Sequence, residues 1–423
     1  MKKWTLLITF IKVRWFQQWS SRAKIEKYQK KMLEKQFAFM KNNSPFYCEK
    51  DFSQLDLMNK EEMMEQFDCL NTVGMKKEIA FEIALNSERT RDFKKSYEEI
   101  SIGLSSGTSG NRGIFLTSKK EQAIWAGTIL AKMLPKRQLL GHKIAFLLRA
   151  DNELYQTVQS RVIEFEYFDI YQSLHEHVAR LNQYQPTILI GPVSILNLLA
   201  KELKAQRLHI HPQKIISVAE ILEERDAEYL KESFSISVIH QIYQCTEGFL
   251  GYTCALGNLH LNEDIVKFEK EYIDDTRFYP IITDFKRTSQ PILNYRLNDI
   301  LVEAQTPCGC GSKLTVIEKV EGREDDIFYF EGTSKTEVAV FPDFIRRCLL
   351  FVSEVREYRV IQLSTNQVII SADGLSPTVQ KKIIDEFNKL AMDLSFIVPT
   401  LVFRAYNEEQ GQKMKRIQSM VKE

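Results

Sequence analysis

The stretch Ile215–Gly248, IISVAEILEERDAEYLKESFSISVIHQIYQCTEG, contains the pattern of a strand, a helix and a second strand. The apolar run Ile215–Val218 predicts a buried strand, Ile221–Phe234 has helical periodicity, and Ser237–Ile242 predicts the next strand. Two strands joined through a helix lie parallel in one sheet, because the helix carries the chain back to the edge at which the first strand began. The stretch therefore predicts an α/β fold built on a parallel sheet.

The same pattern is repeated upstream. Lys143–Arg149 and Thr187–Ile190 are short apolar runs followed by polar or Gly-Pro residues, and they predict two further buried strands. Lys119–Met133 predicts a helix, and Ser96–Ile102 predicts a short strand. We therefore expect a large N-terminal domain of parallel-rich sheets flanked by helices.

The pattern changes after residue 322. The runs 358–363 and 367–372 predict a hairpin, residues 376–394 predict a helix with proline at its first position, and 400–405 predict a final strand. This ββαβ order is typical of a small α+β domain. We predict three parts: an N-terminal helical region at 1–95, an α/β core at 96–321, and a small C-terminal domain at 322–423.

Length and composition exclude several classes of protein. The chain has 423 residues, which favours a large domain plus a smaller one. Its net charge of +1 argues against a protein that coats nucleic acid. The seven cysteines have irregular spacing, which is not typical of a secreted disulfide scaffold. We therefore expect a cytoplasmic protein.

The N-terminus has a basic start followed by the apolar run Trp4–Ile11. The run reaches Lys12 and Arg14 before it could cross a bilayer, and no small-residue cleavage site follows. We predict an amphipathic helix and no transmembrane segment. Peripheral membrane contact and a solvated helical face are both open interpretations, and the solvated face is preferred. A second helix is expected over Ser20–Met40.

A loop rich in glycine and hydroxyl groups, SSGTSGNRG, spans Ser105–Gly113. It is not a Walker A loop, because Asn111-Arg112 stand where Lys-Ser/Thr is needed. Glycines still let backbone N–H groups turn towards an anion, and hydroxyl groups add donors. The loop is therefore a candidate phosphate site, with a plain flexible loop as the alternative.

Four later segments carry chemistry of a related kind. Tyr243–Gly248 follows a predicted parallel strand, where such folds bind ligands, and it offers an aromatic ring, a hydroxyl and a carboxylate. Tyr295–Asp299 ends in a carboxylate that can accept hydrogen bonds from two ribose hydroxyls. Gly322–Asp326 stands at the predicted domain boundary, and Gly411–Arg416 is a basic segment near the end.

Together the five segments resemble the ANL superfamily of adenylate-forming (AMP-binding) enzymes, most closely its phenylacetate-CoA ligase-like and coenzyme F synthetase-related branch. They occur in that family's order and at about its spacing, from Ser105 to Arg416. The resemblance implies a large adenylate-forming domain, with the part at 96–321 as its nucleotide- and substrate-binding core, and a small mobile C-terminal lid at 322–423. It also implies that the ATP phosphates bind at Ser105, Ser106, Gly107, Thr108, Ser109 and Gly110.

The resemblance assigns further roles to the segments that follow the strands. Ala219 and Glu220 would line the adenine and acyl pockets, and Tyr243 would stack on adenine. Thr246 would contact phosphate, and Glu247 would bind Mg²⁺.

The remaining assignments concern the domain boundary and the C-terminal segment. Asp299 would bind the ribose hydroxyls and Arg323 the ribose–phosphate edge. Asp325 would be the hinge of the lid. Lys413, with Arg416 three residues later, would be the mobile catalytic lysine; the alternative is an ordinary surface lysine in a basic tail.

The sequence departs from the family's pattern at several positions. Asn111-Arg112 replace the usual Pro-Lys, and an arginine does not match a lysine in geometry. Gln244 replaces a common glycine, and Leu297-Asn298 replace Thr-Gly. These changes affect fine positioning more than nucleotide binding.

A separate group of residues indicates a structural zinc site. Cys254, His260, Cys308 and Cys310 supply three thiols and an imidazole, which meets the tetrahedral requirement of zinc. The family branch that the chain resembles has a similar pattern. The alternative is buried free thiols with a core histidine. Cys245 is a competing ligand, but it stands beside the predicted nucleotide segment.

The resemblance implies an ATP- and Mg²⁺-dependent ligase that activates an aryl or acyl carboxylic acid as acyl-AMP and releases pyrophosphate. CoA, a carrier protein or another acceptor would then take the acyl group. Two alternatives stay open: an adenylyltransferase acting on a non-carboxylate metabolite, and a nucleotide-binding protein without turnover. No nucleic-acid partner is expected, and a homodimer is the commonest state of a soluble oligomer.

Overall fold

The computed structural model describes residues 2–90, 97, 99–105, 112–135, 138–148, 163–407 and 414–421. The predicted site residues Ser106, Gly107, Thr108, Ser109, Gly110 and Lys413 lie outside this described part. The chain divides into two compact units. The first comprises Met1–Leu297 and Glu303–Lys319, and the second comprises Asn298–Val302 and Val320–Glu423.

The helices of the first unit flank its sheets. They are α1 Lys2–Ile11, α2 Arg22–Asn43, α3 Lys60–Glu65, α4 Phe67–Leu70, α5 Lys77–Thr90, α6 Lys119–Met133, α7 Leu174–Tyr184, α8 Val193–Lys204 and α9 Glu224–Phe234. A π-helical turn, Lys12–Phe16, directly follows α1.

The predicted parallel sheet is confirmed. Its strands lie in the order β4-β3-β5-β6-β7, and each neighbouring pair is parallel. The bounds are β3 His142–Leu148, β4 Ile163–Asp169, β5 Ile188–Gly191, β6 Lys214–Ser217 and β7 Ile239–Cys245.

Antiparallel pairing, which the sequence analysis did not predict, continues the sheet beyond β7. Strand β8 pairs with β7 and β9, and β10 pairs with β11. A separate hairpin of β1 and β2 holds the ends of the glycine-rich loop. The bounds are β1 Ile100–Leu104, β2 Ile114–Ser118, β8 Gly248–Thr253, β9 Leu259–Leu261, β10 Val266–Tyr272, β11 Arg277–Asp284 and β12 Tyr295–Arg296.

Several strand and helix bounds differ from the prediction by a few residues. The strand expected over Ser96–Ile102 lies partly outside the described residues, and the described strand spans Ile100–Leu104. The helix expected from Ile221 begins at Glu224, because Glu223 is still extended with a ψ of 155°. Each difference lies at an element's end, where local periodicity carries the weakest signal.

The core beside the parallel sheet is formed by apolar side chains from the strands and from the helices packed on them. Leu147 and Leu189 of the strands are fully buried, as are Leu196 of α8 and Leu230 of α9. Strands covered on both faces need continuous apolar runs, which explains why their sequences do not alternate.

The second unit contains the predicted ββαβ module with additions on both sides. The hairpin, the helix and the strand at 400–405 are confirmed, but that strand is not the last: β20 follows and pairs in parallel with β17. The bounds are β15 Phe328–Glu331, β16 Glu337–Val340, α10 Pro342–Leu350, β17 Tyr358–Ser364, β18 Gln367–Ala372, α11 Pro377–Leu394, β19 Thr400–Ala405 and β20 Ile417–Ser419. Strands β13 Asp299–Glu303 and β14 Val316–Arg323 include the residues at which the chain passes from one unit to the other.

Candidate active site

The carboxyl ends of β6 and β7 carry two of the predicted segments. Val218-Ala219-Glu220 follows β6, and Thr246-Glu247 follows β7. The strands are parallel neighbours, so both segments leave the sheet at the same edge. This edge is where ligands bind in open α/β sheets.

Ala219 has a left-handed backbone with a φ of +67°, which favours glycine over alanine. It lines a cavity at the edge of the sheet. Glu220 instead accepts hydrogen bonds from the backbone N–H of Ser194 at 2.9 Å and from its hydroxyl at 3.1 Å. The Glu220 carboxylate therefore lies at the N-terminus of α8, where it is favoured by the helix dipole.

Both carboxylate oxygens of Glu247 accept hydrogen bonds. The Thr246 hydroxyl donates to Oε2 at 2.9 Å, and the buried Tyr295 hydroxyl donates to Oε1 at 3.1 Å. These two donors orient the carboxylate, and its second lone pairs can bind a hard cation. Tyr295 was not among the predicted site residues, although it begins the segment that contains Asp299.

Arg287 holds the turn that carries Thr246. Its guanidinium donates to the Thr246 carbonyl at 3.1 Å and to the Leu116 carbonyl at 3.3 Å. It also lies near the buried Glu121. Burial alone would raise the pKa of Glu121, but the charge of Arg287 and hydrogen bonds from two serines lower it. Arg287 is thus a positioning residue that the sequence analysis missed.

An apolar cavity of about 120 Å³ lies beside this edge. Among the described residues that line it, Gln244 is the one polar side chain. The cavity is lined by Ala126, Ile129, Leu130, Ile144, Phe146, Leu148, Phe165, Ile190, Val218, Ala219, Ile242 and Gln244. Gln244 stands where the family that the sequence resembles commonly has glycine, so this departure lies directly in the cavity.

Tyr243 is buried in β7, between two residues that line the cavity, Ile242 and Gln244. Because successive side chains of a strand alternate between faces, Tyr243 points to the other face of the sheet. Its predicted stacking on adenine stays a prediction.

Ser105 closes the base of the glycine-rich loop. Its backbone N–H donates to the Gly113 carbonyl at 2.8 Å, and its hydroxyl accepts from the Gly113 N–H at 2.8 Å. Arg112 forms a bidentate ion pair with Glu88, at 2.7 and 2.5 Å. This ion pair is partly exposed, so an anionic ligand could reach Arg112. Such a ligand would have to compete with Glu88 for the guanidinium.

In the second unit, two predicted residues form an ion pair. Arg323 Nε lies 3.3 Å from Asp299 Oδ1, and the carboxylate is largely buried. The amide of Asn298 donates to Asp325 Oδ2 at 3.2 Å, which joins the predicted hinge residue to the same segment. The motifs around residues 299 and 323 are therefore adjacent in space.

Lys415, two residues after the predicted catalytic Lys413, forms another ion pair within the second unit. Lys415 Nζ lies 2.5 Å from Asp326 Oδ1, and both side chains are largely buried. Burial raises the pKa of Asp326, and the charge of Lys415 lowers it in part. Asp326 follows the predicted hinge residue Asp325 directly, so the ion pair connects the hinge segment to the segment that carries Lys413.

The predicted zinc ligands come together in the first unit. Cys254 Sγ lies 3.7 Å from Cys308 Sγ, and Cys310 Sγ lies 3.5 Å from His260 Nε2. All four ligand atoms lie within 4.8 Å of one another. Tetrahedral zinc with bonds of about 2.0–2.3 Å separates its ligand atoms by roughly 3.5–3.8 Å, so the distances fit a metal.

The surroundings of the cluster also suit a metal. The Leu314 carbonyl accepts from His260 Nδ1 at 3.3 Å, which leaves Nε2 directed at the thiols. Asn258 donates to Cys308 Sγ at 3.0 Å, and the backbone N–H of Ser312 donates to Cys310 Sγ at 3.4 Å. Donors directed at sulfur stabilise thiolates. Cys245 is not a member of the cluster.

Comparison with known proteins relates this architecture to one group of enzymes. No protein-family model matches the chain. Protein CapK of Staphylococcus aureus is 26% identical over 159 residues, which are 37% of this chain and 35% of CapK. The match thus spans about a third of CapK's length.

Solved structures match over far more of the chain. 2-Hydroxyisobutyryl-CoA ligase in the postadenylation state, in complex with 2-HIB-AMP, has a TM-score of 0.71 at 13% identity, covering 95% of this chain and 90% of that one. The amide bond synthetase McbA of Marinactinospora thermotolerans has a TM-score of 0.53 at 14% identity, covering 75% and 67%. The anthranilate CoA ligase AuaEII in complex with anthranoyl-AMP has a TM-score of 0.51 at 14% identity, covering 75% and 66%.

These matches agree with the mixed sheet, the flanking helices and the small C-terminal α+β unit described above. The chain therefore shares the fold of these ligases and this synthetase, as the resemblance to the ANL superfamily implied.

Proposed function

We propose that this protein is an ATP-dependent ligase that activates an apolar carboxylic acid as its acyl-adenylate. The proposal rests on the residues at the carboxyl end of β7. There Gln244 lines an apolar cavity, and three residues later Glu247 has both carboxylate oxygens oriented by hydrogen bonds. One strand thus joins a site for an apolar group to a site for a hard cation.

In the first step, a carboxylate oxygen of the acid attacks the α-phosphorus of ATP. A new O–P bond forms as the bond to the β-phosphate oxygen breaks, and pyrophosphate leaves with its electron pair. Charge develops on phosphate oxygens, so the protein contributes alignment and electrostatic stabilisation. A magnesium ion bound by Glu247 would neutralise part of this charge.

The nucleotide would be held by residues from several segments. Thr246 and the loop at 105–110 would donate hydrogen bonds to phosphate oxygens. Asp299 would accept from the ribose hydroxyls, and Arg323 would orient that carboxylate and contact the ribose–phosphate edge. Ala219 and Tyr243 would contact the adenine.

In the second step, a nucleophile attacks the acyl carbon and AMP leaves. CoA, a carrier-protein thiol or an amine would serve as this acceptor. We propose that Lys413 stabilises the α-phosphate during the first step, and that rotation about Asp325 withdraws it before the second. The Asp326–Lys415 ion pair would keep the lysine segment attached to the hinge.

The cavity lining supports one class of acid. An apolar cavity of about 150 Å³ admits benzene, so the volume here, about 120 Å³, suits one aromatic ring or a short branched chain. A charged substituent would be desolvated without a partner among the described lining residues, at a cost of several kcal/mol. Among the described lining residues, Gln244 is the one whose side chain could offer a hydrogen bond to the bound acid.

We also propose that Cys254, His260, Cys308 and Cys310 bind one zinc ion. Four protein ligands leave no open position for substrate, so the metal would be structural. It would connect the loop after β8 to the loop that precedes β14 and so hold these two segments together.

The test follows isotopic oxygen from the acid into AMP. The protein is incubated with ATP, Mg²⁺ and an acid labelled with ¹⁸O in both carboxylate oxygens, and hydroxylamine serves as the acceptor. Benzoate, phenylacetate, isobutyrate and hexanoate form the panel. We expect AMP that carries one ¹⁸O and the matching hydroxamate, because the carboxylate oxygen that attacked phosphorus stays with AMP.

Two outcomes would contradict the proposal. Unlabelled AMP with every acid would indicate hydrolysis or transfer to a non-carboxylate. ATP binding with no AMP would indicate a protein without turnover. Glu247→Gln is expected to abolish labelling, and Glu318→Gln, which changes an exposed carboxylate of β14, is the matched control.

A second variant tests the acid pocket. Ala126→Leu adds volume to the cavity wall and is expected to lower kcat/KM for benzoate by about tenfold or more while leaving isobutyrate less affected. Equal loss for both acids would argue that the cavity does not hold the acyl group.

A further inference from the structure

Helix α1 exposes an apolar stripe. Trp4, Ile8, Ile11 and Trp15 recur at helical spacing, and their side chains are 70%, 62%, 38% and 52% exposed. Phe16, at 78% exposure, extends the stripe at its C-terminal end. The sequence favoured a solvated face on this helix. In the structure, the exposed face of α1 is aromatic and aliphatic rather than charged.

The stripe cannot be buried by rotating the helix, because its other side is already packed. Val13 is buried, and Leu6 and Phe10 are partly buried against α6. At Gly127 of α6 an added Cβ would lie 2.6 Å from the Leu6 carbonyl oxygen, so the two backbones approach as closely as a glycine allows. The inward side of α1 is fixed by this crossing.

Arg14 fixes the orientation further. Its guanidinium donates to the carbonyls of Ala131 at 2.6 Å, Leu134 at 3.0 Å and Pro135 at 2.8 Å. These carbonyls end α6, where a cation is favoured by the helix dipole. The π-helical turn is therefore anchored with Trp15 and Phe16 outward.

Basic residues flank the stripe. Lys3 and Lys12 are exposed, at either end of α1. From residue 1 to residue 25 the sequence contains six lysines and arginines, and its first acidic residue is Glu26. An apolar stripe between cations complements an interface that has acyl chains below anionic headgroups.

We propose that α1 and the π-helical turn form a docking face for an anionic lipid bilayer, with the helix lying in the plane of the interface. Trp4 and Trp15 would lie at headgroup depth, Ile8 and Ile11 would reach the acyl boundary, and Lys3 and Lys12 would contact phosphates. Across the described residues, no helix has both the length and the apolar character that spanning a bilayer requires.

A second copy of the chain fits this face less well than a lipid surface. Two α1 stripes packed face to face would bring Lys3 and Lys12 of each copy against those of the other, without an acidic residue among the first 25 to pair with them. Like charges held close are destabilising. The charge pattern thus favours lipid, and dimerisation becomes an outcome of the test.

The experiment is vesicle co-sedimentation of the full-length protein. Phosphatidylcholine vesicles are compared with vesicles that also contain phosphatidylglycerol, at low and high salt. We expect binding to the anionic vesicles only, weakened by salt. Lys3→Gln and Lys12→Gln should each weaken it by roughly fivefold at low salt.

The triple variant Trp4→Ser, Ile8→Ser, Ile11→Ser should weaken binding by at least about tenfold. The matched control changes three exposed apolar residues elsewhere, Leu256→Ser, Phe351→Ser and Met392→Ser, and should bind as the wild type does. If the triple variant misfolds, quenching by brominated phosphatidylglycerol is compared between the wild type and Trp15→Phe, where the loss of a quenched component supports docking.

Three results would overturn the proposal: no binding to anionic vesicles at low salt, equal binding to both kinds of vesicle, or unchanged Trp15 emission with brominated lipid. A wild-type dimer in light scattering that the triple variant converts to a monomer would assign the face to a second copy instead.

Discussion

Arg323 Nε lies 3.3 Å from Asp299 Oδ1, joining the end of β14 to the start of β13. The two residues are 24 positions apart and belong to different sequence motifs. Asp299 is 8% exposed, so the ion pair with Arg323 lies in largely buried surroundings. In the proposed function, this carboxylate would accept hydrogen bonds from two hydroxyl groups of a ribose.

Asp299→Asn should weaken ATP binding more than it slows the chemical step. An amide offers one acceptor oxygen and loses the charge, and a hydrogen bond to a charged group contributes about 1.5–3 kcal/mol. We therefore expect KM for ATP to rise by roughly 10- to 100-fold, measured by pyrophosphate release. Asp385→Asn on the exposed side of α11 is the control, and an unchanged KM in Asp299→Asn would contradict the ribose assignment.

Tyr295→Phe removes one of the two donors that orient Glu247. If Glu247 binds magnesium, the freed carboxylate should raise the Mg²⁺ concentration needed for half-maximal rate by about tenfold or more. Tyr272→Phe is a close control, because it also removes a Tyr–Glu hydrogen bond, to Glu303, but at an exposed site. Equal Mg²⁺ dependence in both variants would show that Tyr295 has only a packing role.

The Cys/His cluster should contain one zinc ion per chain, measured by mass spectrometry of metals on the purified protein. Cys310→Ser should lose the metal and lower Tm by roughly 5–10 °C, because the two loops lose their common ligand. Cys48→Ser, at an exposed thiol, should change neither. Full stability without bound metal would indicate that the cluster is a group of free thiols.

Asp284 gives stability a pH dependence of defined sign. Burial raises the pKa of Asp284 to about 6, and the backbone N–H groups of Lys286 and Arg287 and the arginine's charge lower it in part. The unfolded chain has the ordinary, lower pKa, so the folded state binds the proton more tightly. The stability that protonated Asp284 contributes is fully present below the pKa of this group in the unfolded chain. It is lost as the pH rises through about 6.

Asp284→Asn keeps an acceptor oxygen without the titration. Between about pH 4 and pH 7 the wild type should therefore lose up to about 3 kcal/mol of unfolding free energy relative to this variant. Urea denaturation at a series of pH values measures the difference. Parallel curves for the two proteins would show that the carboxyl does not titrate in this range.

The parallel half of the large sheet was predictable because each of its strands can be recognised from a short stretch of sequence. Ile215–Val218 and Thr187–Ile190 are continuous apolar runs, and continuous runs are typical of strands that helices cover on both faces. The antiparallel half was not predicted. Strands such as Val266–Tyr272 carry charged residues on their exposed face and resemble loop sequence when read alone.

The site was predictable only where a motif is contiguous. Thr246 and Glu247 are neighbours in sequence, but the Tyr295 hydroxyl reaches Glu247 across 48 positions. Helix α1 shows a different limit. Leu6 and Ile8 are equally apolar, and only the crossing at Gly127 determines which of them faces outward.

Formation of the acyl-adenylate is tested most directly by ATP–pyrophosphate exchange, which reports the reversible first step without any acceptor. We expect exchange that requires an apolar acid such as benzoate, falls by about 100-fold or more in Glu247→Gln, and is unchanged in Glu318→Gln. Exchange that proceeds without any acid, or that survives in Glu247→Gln, would contradict it.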